Sequence, residues 1–168
     1  RTAALQIASN DSDENPFDIN LTGTGLGPGY LDVTPAGGFT SSGSYGGSFS
    51  PSSLQYTLSN PGSTTIDWTA AKTESWVSLS ASGGTLAAGA NTVVAVYING
   101  NADTLNANGY DDVVTFTNTT NASGDTTRAV ALTVSPIPAS VTLGNLNQTY
   151  DGSPRPVSVT TNPPGLAH

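Results

Sequence analysis

The stretch from Leu54 to Leu86, LQYTLSNPGSTTIDWTAAKTESWVSLSASGGTL, restricts the fold more than any other part of the chain. Large apolar side chains recur at every second residue in Leu54-Tyr56-Leu58 and again in Ile66-Trp68, the period of a strand that buries one face. Between those runs Asn60-Pro61-Gly62 joins a fixed φ to a residue that tolerates φ > 0, so the chain must reverse there. Ser82-Gly83-Gly84 reads as a second turn. Short strands joined this tightly place the stretch at the centre of a β-sandwich, and both tryptophans of the chain lie inside it.

The rest of the chain repeats the pattern. Strand signals run at 31–34, then, after a Gly/Ser-rich passage from 37 to 50, near 53–59, 64–70, 76–80, 91–99, 112–118 and 126–134. Val94-Val96-Ile98, Val114-Phe116 and Val130-Leu132-Val134 supply inward residues, while Thr115, Thr117, Ala131 and Thr133 face the other way. Asn99-Gly100 and Asn108-Gly109 read as turns, since both residue types accept positive φ. No stretch of about 12 residues has helical periodicity, so almost no helix is expected. About seven strands over this length predict an all-β fold, an immunoglobulin-like β-sandwich of about seven strands.

These residues carry a family resemblance. GGFTSSGSYGGSFSPSSLQYTLSNPGSTTIDWTA, SWVSLSASGGTLAAGANTVVAVYIN, NGYDDVVTFTN and TTRAVALTV, in that order, resemble a BACON domain, the Bacteroidetes-associated carbohydrate-binding module often found N-terminal to other domains. The resemblance covers about 31–135 and implies a seven- or eight-stranded sandwich of extracellular glycan-active or surface proteins.

Partial β-sandwich modules flank it. Residues 1–27 alternate at Leu5-Ile7 and at Phe17-Ile19-Leu21 around an acidic turn, which predicts one β-hairpin. IASNDSDENPFDINLTGTG resembles the last hairpin of the choice-of-anchor D (Hydin-like) type of immunoglobulin-like repeat. Gly27-Pro28-Gly29 reads as a short linker, and Ser135-Pro136-Ile137-Pro138 as a second one, stiffened by prolines. Residues 139–168, ASVTLGNLNQTYDGSPRPVSVTTNPPGLAH, resemble the opening of an MBG-type repeat with its Tyr-Asp-Gly turn, of which two strands are present. The family often has a lysine or small residue near Arg155 and Pro156, so Pro156 departs from it and argues for an edge position. The expected organisation is therefore 1–27, 30–135 and 139–168. The chain begins without methionine or a signal peptide, as expected of a processed product or an excised fragment.

Charge narrows the function. The formal net charge of -8 sets 12 carboxylates against Arg1, Lys72, Arg128 and Arg155. Four scattered cations cannot displace the counterions of a nucleic acid, so that partner is excluded. No apolar run approaches the roughly 20 residues of a membrane span. Charged residues are only 10% of the chain, Ser, Thr, Gly and Asn are abundant, and Cys and Met are absent, a profile that leans extracellular or cell-surface.

Catalytic chemistry finds little support. Its only histidine is His168, the last residue, so no nucleophile has a base of the Ser-His-Asp kind. Paired carboxylates for glycoside hydrolysis need a cleft that raises one pKa, for which a small sandwich has little room. Asp11, Asp13 and Asn15 have the alternate spacing of a calcium loop, but Pro16 and Thr22 stand where such a loop needs glycine and a bidentate glutamate, so a solvated acidic turn is expected. Asp111-Asp112 reads as a charged strand start. Neither a metal nor a cofactor is expected.

Binding residues are sought among the aromatics. Trp68 shares parity with Ile66 and belongs in the core. By strict alternation Trp76 falls on the face of Ser78 and Ser80, and Tyr97 falls opposite Val96 and Ile98. Exposed aromatic faces stack on sugar rings, so Trp76 and Tyr97 are the glycan-binding candidates, set against a bulged strand that would put Trp76 in the core. N-x-S/T sequons begin at Asn10, Asn20, Asn118, Asn121 and Asn147, and in a bacterial protein they usually stay unmodified. An isopeptide bond from Lys72, assisted by Glu74, would need a buried lysine, whereas Lys72 sits beside a turn. The leading expectation is a non-catalytic extracellular module, a spacer or adhesin-like repeat with glycan binding. Two alternatives stand beside it. One is a filament subunit assembled by strand exchange between neighbouring copies through the partial end domains, and the other is an accessory module of a polysaccharide-active enzyme.

Overall fold

The computed structural model describes residues 2–8, 10, 13, 17–23, 25, 27–149, 151–162 and 164. Asp11, Asn15 and Pro16 of the acidic turn, Tyr150 and His168 lie outside the described residues.

Thirteen strands follow in order: β1 (Thr2–Ile7), β2 (Phe17–Thr22), β3 (Asp32–Thr34), β4 (Phe39–Ser44), β5 (Ser53–Ser59), β6 (Ile66–Ala71), β7 (Val77–Leu79), β8 (Gly83–Leu86), β9 (Asn91–Ile98), β10 (Asn108–Asn118), β11 (Thr126–Ser135), β12 (Ser140–Gly144) and β13 (Ser158–Asn162). A 3-10 turn at Gly100–Thr104 is the helical element among the described residues. The fold is all-β, with β4-β11-β10-β6-β8 forming a five-stranded sheet and β3-β5-β9-β7 a four-stranded one. Together they make the immunoglobulin-like sandwich.

Period-two patterning explains the core. Ile66, Trp68, Val114, Phe116, Val130, Leu132 and Val134 come from the larger sheet and are buried against Val33, Tyr56, Leu58, Val77, Val94 and Val96 of the smaller one. Tyr56 and Phe116 meet with ring centroids 5.7 Å apart and planes tilted by 57°, a favoured aromatic arrangement. Trp68 is buried as parity requires.

The chain changes sheets between β3 and β4, and Arg128 holds that crossing. Its guanidinium donates to the carbonyl of Pro35 (2.9 Å), to Thr126 Oγ1 (2.7 Å), to the carbonyl of Thr127 (2.8 Å) and to the carbonyl of Val33. It also lies 5.9 Å from the centroid of the Tyr56 ring. Once across, β4 runs parallel to β11, from Phe39 beside Val130 to Ser44 beside Ser135.

Four expectations need correction. The Gly/Ser-rich passage contains β4, which was not legible because only Phe39 is large; Ser41 takes the next inward position. Gly83 and Gly84 are strand residues of β8, not a turn, because they pair with Thr69 and Trp68 of β6, and the Trp68 indole lies against Gly84 across the ladder. Asn108-Gly109 opens β10 and does not precede it. Asp112 lies inside β10 and is buried, accepting from the backbone N–H groups of Thr73 (3.1 Å) and Glu74 (3.0 Å) and so bracing that loop.

Asn60, at the predicted reversal, is fully buried and fills all its valences. Its Oδ1 accepts from the N–H groups of Tyr30 and Gly62, each at 3.1 Å. Its Nδ2 donates to the carbonyls of Thr64, Leu86 and Ala87 at 2.8, 3.1 and 3.2 Å. Nearby, the Gly27 carbonyl accepts from Ser63 N–H at 2.9 Å and from its hydroxyl at 2.8 Å, and Asn121 Nδ2 donates to the Gly29 carbonyl at 2.9 Å. The Gly27-Pro28-Gly29 linker is thus tied to the sandwich.

Both flanking segments form hairpins. In β1–β2 the pairs Ala3–Leu21, Leu5–Ile19 and Ile7–Phe17 put one apolar set on a single face, as the alternation predicts. In β12–β13 Val141 faces Thr161 and Leu143 faces Val159. Arg155 and Pro156 lie in the connection between those two strands, outside any sheet edge.

Candidate functional site

The two aromatic candidates separate. Tyr97 points outward from β9, between Ser53 of β5 and Ser78 of β7, while its neighbour Val96 is buried. It is 38% exposed. Trp76 is only 2% exposed and cannot offer a ring face. It precedes the first residue of β7 and so escapes the alternation that would have turned it outward. A tight turn, with Val77 N–H bonded to the Glu74 carbonyl at 3.3 Å, lets Trp76 and Val77 both point inward.

Beside Tyr97, on the side where β6 approaches β7 and β9, a depression of about 390 Å³ opens to solvent. Ala70, Ala71 and Ser82 line it with small side chains that leave room, Leu79 adds an apolar wall, and Lys72 and Ser78 bring polar groups. Lys72 Nζ donates to the Glu74 carbonyl at 2.9 Å, which holds the ammonium near the rim and leaves two of its N–H groups free. Since Lys72 is exposed, it lacks the burial that an isopeptide bond requires. Ser78 Oγ accepts from Asn99 Nδ2 at 2.8 Å and keeps its own O–H to donate. The described lining brings an aromatic ring, an apolar wall and hydrogen-bond donors together around a shallow hollow.

A larger hollow, about 530 Å³, lies in the connection between β12 and β13, among Asn145, Asn147, Gln148, Thr149, Arg155 and Pro156. None of these described lining residues is aromatic. Arg155 is paired with Asp151, and Gln148 Nε2 donates to the carbonyls of Asn145 and Pro156. Among the described residues no group of three His, Cys, Asp or Glu side chains is placed to hold a metal ion, and no helix is long and apolar enough to cross a membrane.

Sequence reasoning missed the buried polar residues Asn60, Asp112 and Arg128. Asn60 carried a signal, the Asn-Pro-Gly turn, but only as a reversal. Nothing local marked Arg128, because its partners Val33 and Pro35 are remote in the chain.

The viral BACON domain family model matches residues 40–135, more than half of the chain and most of the sandwich just described. The chain belongs to the viral BACON domain family. The BACON match is followed by a match to the MBG domain at residues 139–168, in the order the sequence motifs indicated. No curated protein matches the chain. Among solved structures, the PapD-like domain 7 of human CEP192 is similar, with a TM-score of 0.50 at 11% identity over 70% of this chain and 92% of that one. The periplasmic chaperone SfaE has a TM-score of 0.46 at 7% identity, over 64% of this chain and 60% of SfaE. A Bacteroides ovatus GH5 xyloglucanase, solved with a XXXG heptasaccharide, has a TM-score of 0.42 at 17% identity, over 66% of this chain and 20% of that one. At 11% identity the likeness to the CEP192 domain concerns the fold alone.

Proposed function

We propose that the chain is a non-catalytic part of an extracellular, modular surface protein, in which the BACON sandwich binds glycans at the Tyr97 depression and the flanking modules act as spacers. The observation that carries the glycan reading is the half-exposed Tyr97 ring beside the hollow that also holds Lys72 and Ser78. A phenol ring stacks on the apolar C–H face of a sugar, and the ammonium and hydroxyl satisfy its ring hydroxyls. The carbohydrate-binding description in the family's name supports this reading. So does the composition, low in charge and free of Cys and Met, for a surface location.

The test is binding of the whole chain to a glycan array, in parallel with Tyr97→Ala. Binding that falls about tenfold or more in the variant, a loss of about 1.4 kcal/mol, is expected while the melting temperature holds. Absence of binding to every polysaccharide and mucin would remove the glycan part and leave the spacer role.

A second reading, assembly of copies by strand exchange through the end hairpins, is favoured by a separate observation. Leu5, Ile7, Phe17 and Leu21 are 46–50% exposed on β1–β2, and Val141 and Leu143 are 59% and 52% exposed on β12–β13. Two-stranded sheets with bare apolar faces are marginal alone in water and gain stability by packing on another sheet. Light scattering over a wide concentration range decides it: growth in mass with concentration supports assembly, and a monomer throughout rejects it.

A further inference from the structure

The chain has two Asn-Gly pairs, Asn99-Gly100 and Asn108-Gly109, and the fold treats them in opposite ways. An asparagine followed by glycine is open to attack on its side-chain carboxamide by the next backbone nitrogen, because glycine brings no side chain to obstruct the approach. At Asn108 the structure holds the reacting groups together. Gly109 N–H donates to Asn108 Oδ1 at 2.8 Å, so the carboxamide lies against the nitrogen that would attack it. Both residues are exposed, and nothing lies within 4 Å of the place a Gly109 Cβ would occupy, so a five-membered ring has room to form. This end of β10 is also paired on one side only, since β6 joins it no earlier than Thr115.

Asn99 is restrained instead. Its Nδ2, the leaving group of such a reaction, donates to the Ser75 carbonyl at 2.9 Å and to Ser78 Oγ at 2.8 Å. Its Oδ1 accepts from Asn101 N–H at 2.9 Å, which turns the carboxamide toward the residue after Gly100. Reaction there requires those three bonds to break first.

We propose that Asn108 is an intrinsic modification site, which ages by deamidation to aspartate and isoaspartate while Asn99 stays amidated. The Gly109 nitrogen gives its proton to solvent and bonds to Asn108 Cγ; the Cγ–Nδ2 bond breaks, and ammonia departs with a proton from water. The resulting succinimide then adds one water at either carbonyl and opens to aspartate or to isoaspartate, with no oxidant or reductant involved. One amide becomes one carboxylate, and the isoaspartate form also lengthens the main chain by one methylene opposite Val134. That pair lies immediately before the Pro136-Ile137-Pro138 connection, so the alteration accumulates where the BACON sandwich gives way to the MBG segment.

The test is to age the intact chain in mildly alkaline buffer and to follow the peptides holding residues 99 and 108 by mass spectrometry, with an isoaspartate-specific methylation assay as second readout. Conversion at Asn108 is expected to exceed that at Asn99 by about tenfold or more, the ratio produced by a barrier difference of about 1.4 kcal/mol. In the denaturant-unfolded chain the two rates are expected to converge, and Gly109→Ala is expected to slow Asn108 in either state. Equal rates in the folded chain, or faster conversion at Asn99, would overturn the proposal, as would an Asn108 that stays amidated while the unfolded chain reacts.

Discussion

Trp68 and Gly84 face each other across β6 and β8, so close that a Cβ on Gly84 would lie 3.2 Å from the indole Nε1 and 3.3 Å from Cε2. The indole occupies the space that a side chain on the edge strand would need. A β-branched residue there must displace the ring. Gly84→Val is expected to destabilise the sandwich by about 1–3 kcal/mol, the usual range for overpacking, and to alter the near-ultraviolet dichroism of Trp68. A urea titration of both proteins checks it, and a midpoint equal to the wild type would refute the packing account.

Asn60 joins the start of the sandwich to two loops through five side-chain hydrogen bonds. Asn60→Asp keeps the acceptor and loses every donor, leaving the Thr64, Leu86 and Ala87 carbonyls facing a buried carboxylate. A loss of about 2–4 kcal/mol is expected from unsatisfied buried groups, with Asn60→Ala in the same range. Chemical denaturation at neutral pH measures both.

Tyr56 makes stability depend on alkaline pH. Burial raises its phenol above the usual value of 10.0, and the Arg128 guanidinium draws it part of the way back. A folded-state pKa above the unfolded one means that the contribution is complete below about pH 10 and is lost as pH rises through the folded value. Tyr56→Phe should therefore flatten the alkaline fall in stability, at a cost of about 1 kcal/mol for the lost bond from the hydroxyl to the Gly37 carbonyl. Arg128→Met should raise the phenol pKa further, as followed by ultraviolet difference titration. A phenol titrating as in the unfolded chain would contradict this.

The two candidate aromatics should behave oppositely when truncated. Trp76→Ala empties a core position and is expected to cost about 3–5 kcal/mol, whereas Tyr97→Ala, on an outward face, should change stability by about 0.5 kcal/mol or less. Thermal unfolding of the two variants separates them, and comparable losses would mean that Tyr97 is also structural.

Alternation at Tyr56-Leu58, Ile66-Trp68, Val94-Val96, Val114-Phe116 and Val130-Leu132-Val134 was enough to define the strands and their inward faces, because a strand that buries one side writes its period into the sequence. The same local logic gave the hairpin at residues 1–27 and the reversal at Asn60. Where side chains are small or neighbours are distant, it had nothing to read. Apart from Phe39, β4 is built from Thr, Ser and Gly, and it becomes a strand only by lying beside β11. Gly83 and Gly84 look like a turn until they pair with Thr69 and Trp68 of β6. Trp76 has outward parity but a turn rotates it into the core, and Arg128 looks like a stray surface cation until Val33 and Pro35 gather round it. Local sequence determined which segments extend and which face each one buries, through periodicity and turn chemistry. Tertiary structure alone decided which edge strands pair, which polar groups are buried and which of the two candidate aromatics stays exposed, because those outcomes depend on contacts between residues far apart in the chain.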